Sequence, residues 1–417
     1  MFKVRYNLMS ALRPVKLAVF FDQAIHTGGG YQQALNAALL LKKMPTNIVE
    51  PIFFTSHQNN IETLSSFGID TIFLPLPLSS RIVLKIRRLI VHSWIFGIWK
   101  KLAGVNSFER GFLKHEVDLV YFLSPDLLAN NLEEINYITT VWDLCHRDDP
   151  EFPEVRAGRE FEGREHLYRS TLPKAVAVLV DSPLGKANVT RRYGIDKERV
   201  HVMPFMPATG AQISEDAYQT GYIDIRQKYK LDVPYVFYPA QFWAHKNHVY
   251  LLEGLKCLEE KYGLKVGAIF SGGDQGNLAH IRRITEDLGL SDCVRFAGFV
   301  PNEEIPYLYK QSLALVMPTY FGPTNLPPLE AFFLGVPVLY PDKPGLRDQV
   351  GAAALLMDLH EPESMASHLT SLIENPELRE KLIEKGKAVL VKNSDQNRLE
   401  ILMTVLRDYQ RRRACWG

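Results

Sequence analysis

Short, near-continuous apolar runs alternate with amphipathic stretches along most of this chain, and that alternation predicts its elements. Residues 16–22 (KLAVFFD) form an apolar run ending in Asp22. A polar stretch and Gly28-Gly29-Gly30 follow, and then YQQALNAALLLKKM carries apolar residues at helical spacing. Strand, glycine loop and helix, in that order, make the opening unit of an α/β domain. NIVEPIFFT, DTIFLPL, VDLVYFLSP, NYITTVWDL, VAVLVDSP and RVHVMPF read as further strands, with the helix PLGKANVTRRYG between the last two. Several are apolar almost throughout, as parallel strands covered on both faces are. Repeated strand and helix predict a doubly wound sheet.

A second series starts beyond residues 206–231. The strands YVFYPAQF, LKVGAIFSGG, CVRFAGFV, LALVMPT and VPVLYPD alternate with the helices HVYLLEGLKCLEEKYG, AHIRRITEDLG, NEEIPYLYKQS and LPPLEAFFLG. The final stretch, QNRLEILMTVLRDYQRRRACWG, is one long helix pattern. The expected fold class is therefore α/β with two Rossmann-like, doubly wound domains, 1–205 and 206–395, followed by the helix 396–417. The two series show no sequence repeat.

Composition adds limits. A chain of 417 residues has room for two or three domains, and 46% hydrophobic with 23% charged residues suits globular cores. The formal net charge of +1 gives no general argument for a nucleic-acid partner. Cys145, Cys257, Cys293 and Cys415 form no CxxC pair, which argues against zinc or a disulfide framework and suits a reducing cytosol. The first residues read as no signal peptide, and no apolar run is long enough to span a bilayer. A cytoplasmic protein is expected. One stretch differs from the rest. In 81–101, Arg81, Lys85, Arg87, Arg88, Lys100 and Lys101 flank an apolar, Trp-containing centre, a composition that suits a helix lying on an anionic membrane surface. The same residues also fit a surface helix packed on its own domain.

The chemistry concentrates in 317–342 (MPTYFGPTNLPPLEAFFLGVPVLYPD). A strand ends in a Gly- and Pro-containing loop, and a helix follows with Pro327 and Pro328 at its start. The free donors at that entrance are then expected to be the amides of Thr324, Asn325 and Leu326, which attract phosphate or sugar oxygens. Glu330, about a turn further in, suits two neighbouring hydroxyls such as those of a ribose. Read alone, it is an ordinary exposed helical glutamate. Together these features describe a nucleotide-sugar site.

This segment resembles the donor motif of the large retaining glycosyltransferase family of GT-B fold, family four, whose usual form is Glu-Gly-Phe-Gly-Leu-Pro-x-x-Glu-Ala. Leu326-Pro327-Pro328-Leu329-Glu330-Ala331 matches, and Gly335-x-Pro337-Val338 follows as in the family. The resemblance makes Glu330 the ribose ligand. The family's first glutamate falls on Gly322, which has no carboxylate, and Thr324 and Asn325 are the candidates to take over its role. The family also places an Arg five residues before a Lys, both meeting the donor diphosphate. Here the Lys is Lys246, followed by Asn247, and Gln241 stands in the Arg position. An ammonium beside a pyrophosphate stabilises the leaving group as charge develops. Gln241 donates hydrogen bonds but supplies no charge, and His245 adds charge only if protonated.

Weaker matches extend the resemblance over nearly the whole chain. SGGD (271–274) is similar to the family's Gly-rich turn. RFAGFVPNEE (295–304) is similar to its Phe-x-Gly-x-Val stretch, which makes Phe299 and Val300 base-contact candidates. Gly29 and Gly30 stand where the family has a Gly-Gly loop facing the donor phosphates, and the spacing is not that of a dinucleotide fingerprint. A tight turn before a helix accounts for them equally. In VWDLCHRDDPEFPE (141–154), Trp142 replaces the family's His, Asp143 and Leu144 remain, and His146 follows. Asp143 and His146 are the acceptor-side candidates; the plain alternative is a helix-capping Asp and a satisfied loop His. The Glu- and Arg-rich run PEFPEVRAGREFEGREHLY reads as a solvated helix face.

The resemblance implies a GT-B architecture, with the two domains facing a cleft and the last helix crossing back to the first. It implies a metal-independent hexosyltransferase that takes a GDP- or UDP-linked sugar to a glycan or lipid-linked acceptor, with retention and no cofactor. Lys246, Glu330, Asp143 and His146 would carry catalysis. Mannose, and polysaccharide or lipopolysaccharide assembly on the inner face of the membrane, are the specific expectations. A GT-B sugar-nucleotide 2-epimerase and a non-catalytic nucleotide-sugar-binding protein remain as alternatives.

Overall fold

The computed structural model describes residues 13–23, 29–76, 82 and 105–416. The chain divides into two compact units. The first comprises Met1–Trp142, Glu162–Pro204 and Asp395–Gly417, and the second Asp143–Phe161 and Phe205–Ser394.

In the first unit, seven parallel strands lie in the order β3-β2-β1-β4-β5-β6-β7. They are β1 (Val15–Phe21), β2 (Val49–Thr55), β3 (Thr71–Phe73), β4 (Leu119–Phe122), β5 (Asn136–Val141), β6 (Ala177–Val180) and β7 (Val200–Val202). Every residue of β4 and β6 is buried, which is why both read as unbroken apolar runs. Leu35, Ala38 and Leu41 of the helix Gly29–Leu41 share one core with Leu402, Val405, Leu406 and Tyr409 of the helix Asp395–Arg413. Tyr409 Oη donates to the Asp118 carbonyl at 2.7 Å, and Gln410 Nε2 to that of Arg13 at 2.7 Å. The last helix of the chain thus completes the core of the first unit.

The second unit has six parallel strands in the order β10-β9-β8-β11-β12-β13. They are β8 (Tyr235–Pro239), β9 (Gly267–Ser271), β10 (Val294–Gly298), β11 (Leu315–Val316), β12 (Val338–Pro341) and β13 (Leu355–Met357). The strand order reverses between β8 and β11, and in an open parallel sheet the crevice outside the carboxyl ends at such a reversal is where ligands bind. The loops that flank it are 240–247 and 317–326.

Residues 143–161 depart from the expected division of the chain, which counted them in the first domain (1–205). They pack with the second unit, and the cause is a set of specific contacts. Cys145 Sγ donates to the Gly322 carbonyl at 2.9 Å. Lys343 Nζ donates to Asp149 Oδ1 at 3.0 Å and to the Tyr320 carbonyl at 2.8 Å. The Phe152 ring meets those of Tyr320 and Phe321 at 5.3 and 5.4 Å. Of the basic, Trp-containing stretch 81–101, all but Ile82 lies outside the described residues, as does Gly28. Among the described residues, no helix is long and apolar enough to cross a membrane.

The turn after β9 is pressed against the loop after β8. Gly272 has φ +147°, and a Cβ there would lie 2.4 Å from the Ala240 carbonyl oxygen. Gly272→Ala is expected to lower stability by about 1–3 kcal/mol, read as a lower urea midpoint; an unchanged midpoint would contradict this close approach.

Candidate functional site

The loop after β8 carries Lys246. A short 3₁₀ turn, Ala244–Lys246, ends in Asn247 in the left-handed region (φ 54°), a conformation Asn tolerates better than most residues. Asn247 then caps the helix His248–Tyr262, its side chain accepting from Tyr250 N at 3.4 Å. Tyr238 Oη, from β8 itself, donates to the Lys246 carbonyl at 2.8 Å and fixes the turn. Asn247, expected to bind the donor, is thus occupied as a cap. Gln241 Oε1 accepts from Trp243 Nε1 at 3.0 Å, which leaves Nε2 without a partner among the described residues.

The segment 143–161 brings negative charge to this loop. Burial pushes the Lys246 ammonium down to about 8, and the nearby Cys145, Asp143 and Glu154 oppose that shift. The Glu154 side chain is 8% exposed; one oxygen accepts from His245 N at 2.9 Å and also meets His245 Nδ1. The run containing Glu154 was expected to be a solvated helix face. Glu154 corrects that expectation, because it is buried against a residue far away in sequence. In a run rich in Glu and Arg, no local pattern marks Glu154 out from its neighbours.

Asp143 and His146 part ways. Asp143 is part-buried, and its Oδ1 accepts from Cys145 N at 2.9 Å, capping the turn Cys145–Asp148 while keeping its charge near Lys246. His146 is fully buried and meets the Phe161 ring edge-on at 5.4 Å. It was expected on the acceptor side, but a side chain with no exposed surface has no room for an acceptor hydroxyl.

The loop after β11 leads into the helix Pro327–Leu334. Glu330 is buried, accepts from Tyr309 Oη at 2.7 Å and from the backbone of Ala208, and burial raises its pKa. The expected row of free amides is only partly present. The Asn325 amide donates to Gln349 Oε1 at 3.0 Å, and its side chain donates to Tyr340 Oη at 2.7 Å and the Phe321 carbonyl at 3.1 Å. Asn325 therefore braces the loop. Thr324 also has a partner. The Leu326 carbonyl takes the amides of Leu329 at 2.9 Å and Glu330 at 3.1 Å, while the Leu326 N–H has no partner among the described residues.

Phe299 and Val300 follow β10. Phe299 is 74% exposed, open for a flat ring to stack on, whereas Val300 is buried in the core. Gly29 and Gly30 belong to the first unit, where they open the helix Gly29–Leu41. A Cβ on Gly30 would lie 2.5 Å from the Trp142 ring, so this glycine is required by packing.

Comparisons with known proteins concern the family and the fold. Residues 223–389 match the family of glycosyl transferases group 1. The chain is 24% identical over 277 residues to the O-antigen chain mannosyltransferase B of Escherichia coli, covering 66% of this chain and 71% of that protein. It is 25% identical over 321 residues to the D-inositol 3-phosphate glycosyltransferase of Corynebacterium jeikeium (strain K411), covering 72% and 75%. The crystal structure of Anabaena HepE in complex with UDP and glucose shares the fold, with a TM-score of 0.67, 17% identity, and 96% and 100% of the two chains covered.

Burial raises the Glu330 pKa above its unfolded value, so the folded chain bears a cost at pH above the usual carboxylate pKa. Glu330→Gln removes the charge and keeps an acceptor oxygen for the Tyr309 hydroxyl. At pH 8 it is expected to raise stability by ~0.5–2 kcal/mol, measured by thermal unfolding. A clear loss of stability would mean that the carboxylate serves the fold.

Proposed function

Because this chain is a group 1 glycosyl transferase with the GT-B fold, we propose that it transfers a hexose, mannose first among the candidates, from a nucleoside-diphosphate sugar. The acceptor is a glycan or lipid-linked sugar in polysaccharide or lipopolysaccharide assembly, and the anomeric configuration is retained. The choice of mannose and of polysaccharide follows the O-antigen mannosyltransferase among the relatives. The observation that carries the reading is Lys246, an ammonium part-buried at the reversal point of the second sheet, with Asp143 and Glu154 beside it.

In this reading the donor diphosphate docks on Lys246, with Gln241 Nε2 and the Leu326 amide as neutral donors. When the bond from the anomeric carbon to the β-phosphate oxygen breaks, the electron pair goes to that oxygen, and the fixed ammonium offsets the new charge. Glu330 takes the ribose hydroxyls. A carboxylate has about four lone-pair sites, so its bonds to Tyr309 and Ala208 leave capacity for two more. Phe299 offers its face to the base. Asp143 orients the transferring sugar or the acceptor. No metal is required, because Lys246 takes the place of a cation.

Lys246→Ala is expected to weaken donor binding about ten- to a hundredfold, the worth of a charge-assisted hydrogen bond. Thermal-shift screening of GDP-, UDP- and dTDP-sugars selects the donor, and calorimetry then gives the affinity. Unchanged affinity would sink the assignment. In the wild type, Lys246 keeps its proton below about 8, so affinity should hold at neutral pH and fall as pH rises beyond that value. A flat profile from pH 7 to 9.5 would speak against Lys246 as the cation. For metal independence, full turnover in EDTA is expected; loss of turnover restored by magnesium or manganese would refute it.

A further inference from the structure

His245 is held more tightly, and with more care for one ring edge, than packing requires. Its ring lies nearly parallel to Phe321, with centroids 3.9 Å apart and 6° between planes, and Trp243 is near-parallel at 6.4 Å. Its carbonyl takes the Tyr320 amide at 2.9 Å and the Thr319 hydroxyl at 3.4 Å. These bonds fix His245 where the loops after β8 and β11 meet. Glu154 takes both the backbone N–H and Nδ1. Nε2, on the opposite edge, has no partner among the described residues and is not among the atoms sealed from solvent. Lys246 is the next residue.

The charges that face this ring are Glu154, Lys246 and Asp143; His248, which burial keeps neutral, is the other titratable group that feels it, and the packed rings of Phe321, Trp243 and Phe152 are uncharged. Burial holds the imidazole neutral, down to about 4; Glu154 and Asp143 favour the charged form, and Lys246 opposes it. Burial works against the Glu154 carboxylate as well, but the bonds from His245 bring it below the ordinary carboxylate range. Among the groups that face this ring, Lys246 is the one cation, and Gln241 adds none. A nucleotide sugar brings two negative charges.

We propose that His245 is a second, proton-loadable cation of the diphosphate site: Nε2 takes a proton from solvent when the donor docks, and donates it in a hydrogen bond to a phosphate oxygen. This rests on the donor reading above. Glu154 is a positioning residue, which fixes the ring through Nδ1–H and carries the counter-charge. During transfer the electron pair of the breaking anomeric C–O bond moves to the β-phosphate oxygen, opposite both imidazolium and ammonium. The proton returns to solvent when the nucleoside diphosphate leaves. A histidine gains its charge only when the phosphate arrives, so Lys246 has no second cation beside it beforehand.

The test is proton uptake on binding. GDP-mannose, UDP-glucose and a dTDP-sugar are titrated by calorimetry into the full chain at pH 6.5, in buffers of different ionisation enthalpy. At that pH Lys246 is already charged, and a nucleotide sugar's diphosphate does not titrate. The donor that binds should take up about one proton, the change expected of one histidine. His245→Asn should abolish the uptake and weaken binding at least tenfold. Glu154→Gln, a second variant, should move the uptake to more acid pH, which a merely structural role would not do. Binding without proton uptake in the wild type, or uptake that persists in His245→Asn, overturns the proposal while leaving the donor reading intact. If none of the nucleotide sugars binds the wild type, both fall together.

Discussion

An ammonium group withdrawn from water must be answered by negative charge, and that requirement organises the carboxyl end of the second sheet. Lys246 sits in the loop after β8, where burial works against its proton. The carboxylates that oppose this, Asp143 and Glu154, both come from a segment that leaves the first sheet after β5. Chain order would keep that segment in the first unit. It packs with the second because Glu154 meets His245, Asp149 meets Lys343, and Cys145 meets the Gly322 carbonyl. These contacts bring two carboxylates of the segment, Asp143 and Glu154, near Lys246.

The fold was legible wherever burial and periodicity coincide. Strands buried on both faces, such as β4 and β6, announce themselves as apolar runs, and the alternation of strand and helix then implies parallel sheets. β13 gave no expectation; three residues, Leu355–Met357, are too few to show a period. The site was half legible. Lys246 and Glu330 stand at strand ends in recognisable contexts. Glu154 was missed because its own surroundings are rich in Glu and Arg, and its burial comes from a partner 91 positions away. Asn325 was misjudged for the same kind of reason. Its partners Tyr340 and Gln349 lie beyond the next helix, and no local pattern shows them.

The departures from the resembling donor motif also compensate one another. The motif has two cations and two carboxylates. This chain keeps Lys246 and Glu330, and loses one of each at Gln241 and Gly322. The net charge of the four positions is unchanged. Gly322 has a packing role as well: a Cβ there would lie 2.8 Å from Leu346 Cδ2, and Leu346 is buried. A glutamate at this position would have to displace part of the core and would also leave its charge unmatched by Gln241.

Burial alone does not separate structural from functional ionisable groups in this protein; unused hydrogen-bonding capacity does. Glu109 is fully buried, and its carboxylate accepts the amides of Glu133, Glu134 and Ile135 at 2.7–3.0 Å. It closes a turn, and its oxygens are used by the fold itself. His248 is the opposite extreme. Neither ring nitrogen has a partner among the described residues, yet the ring is stacked on Phe242 at 4.7 Å and enclosed, so it serves as an aromatic filler. His245 combines the two. One nitrogen is committed to a buried carboxylate, and the other is kept open at the point where the sheet reverses. A fold that only needed an aromatic ring there would be served by phenylalanine, and one that only needed a partner for Glu154 would be served by an asparagine. A group that satisfies a carboxylate on one edge and offers an unspent edge to the crevice is suited to a ligand that arrives with charge.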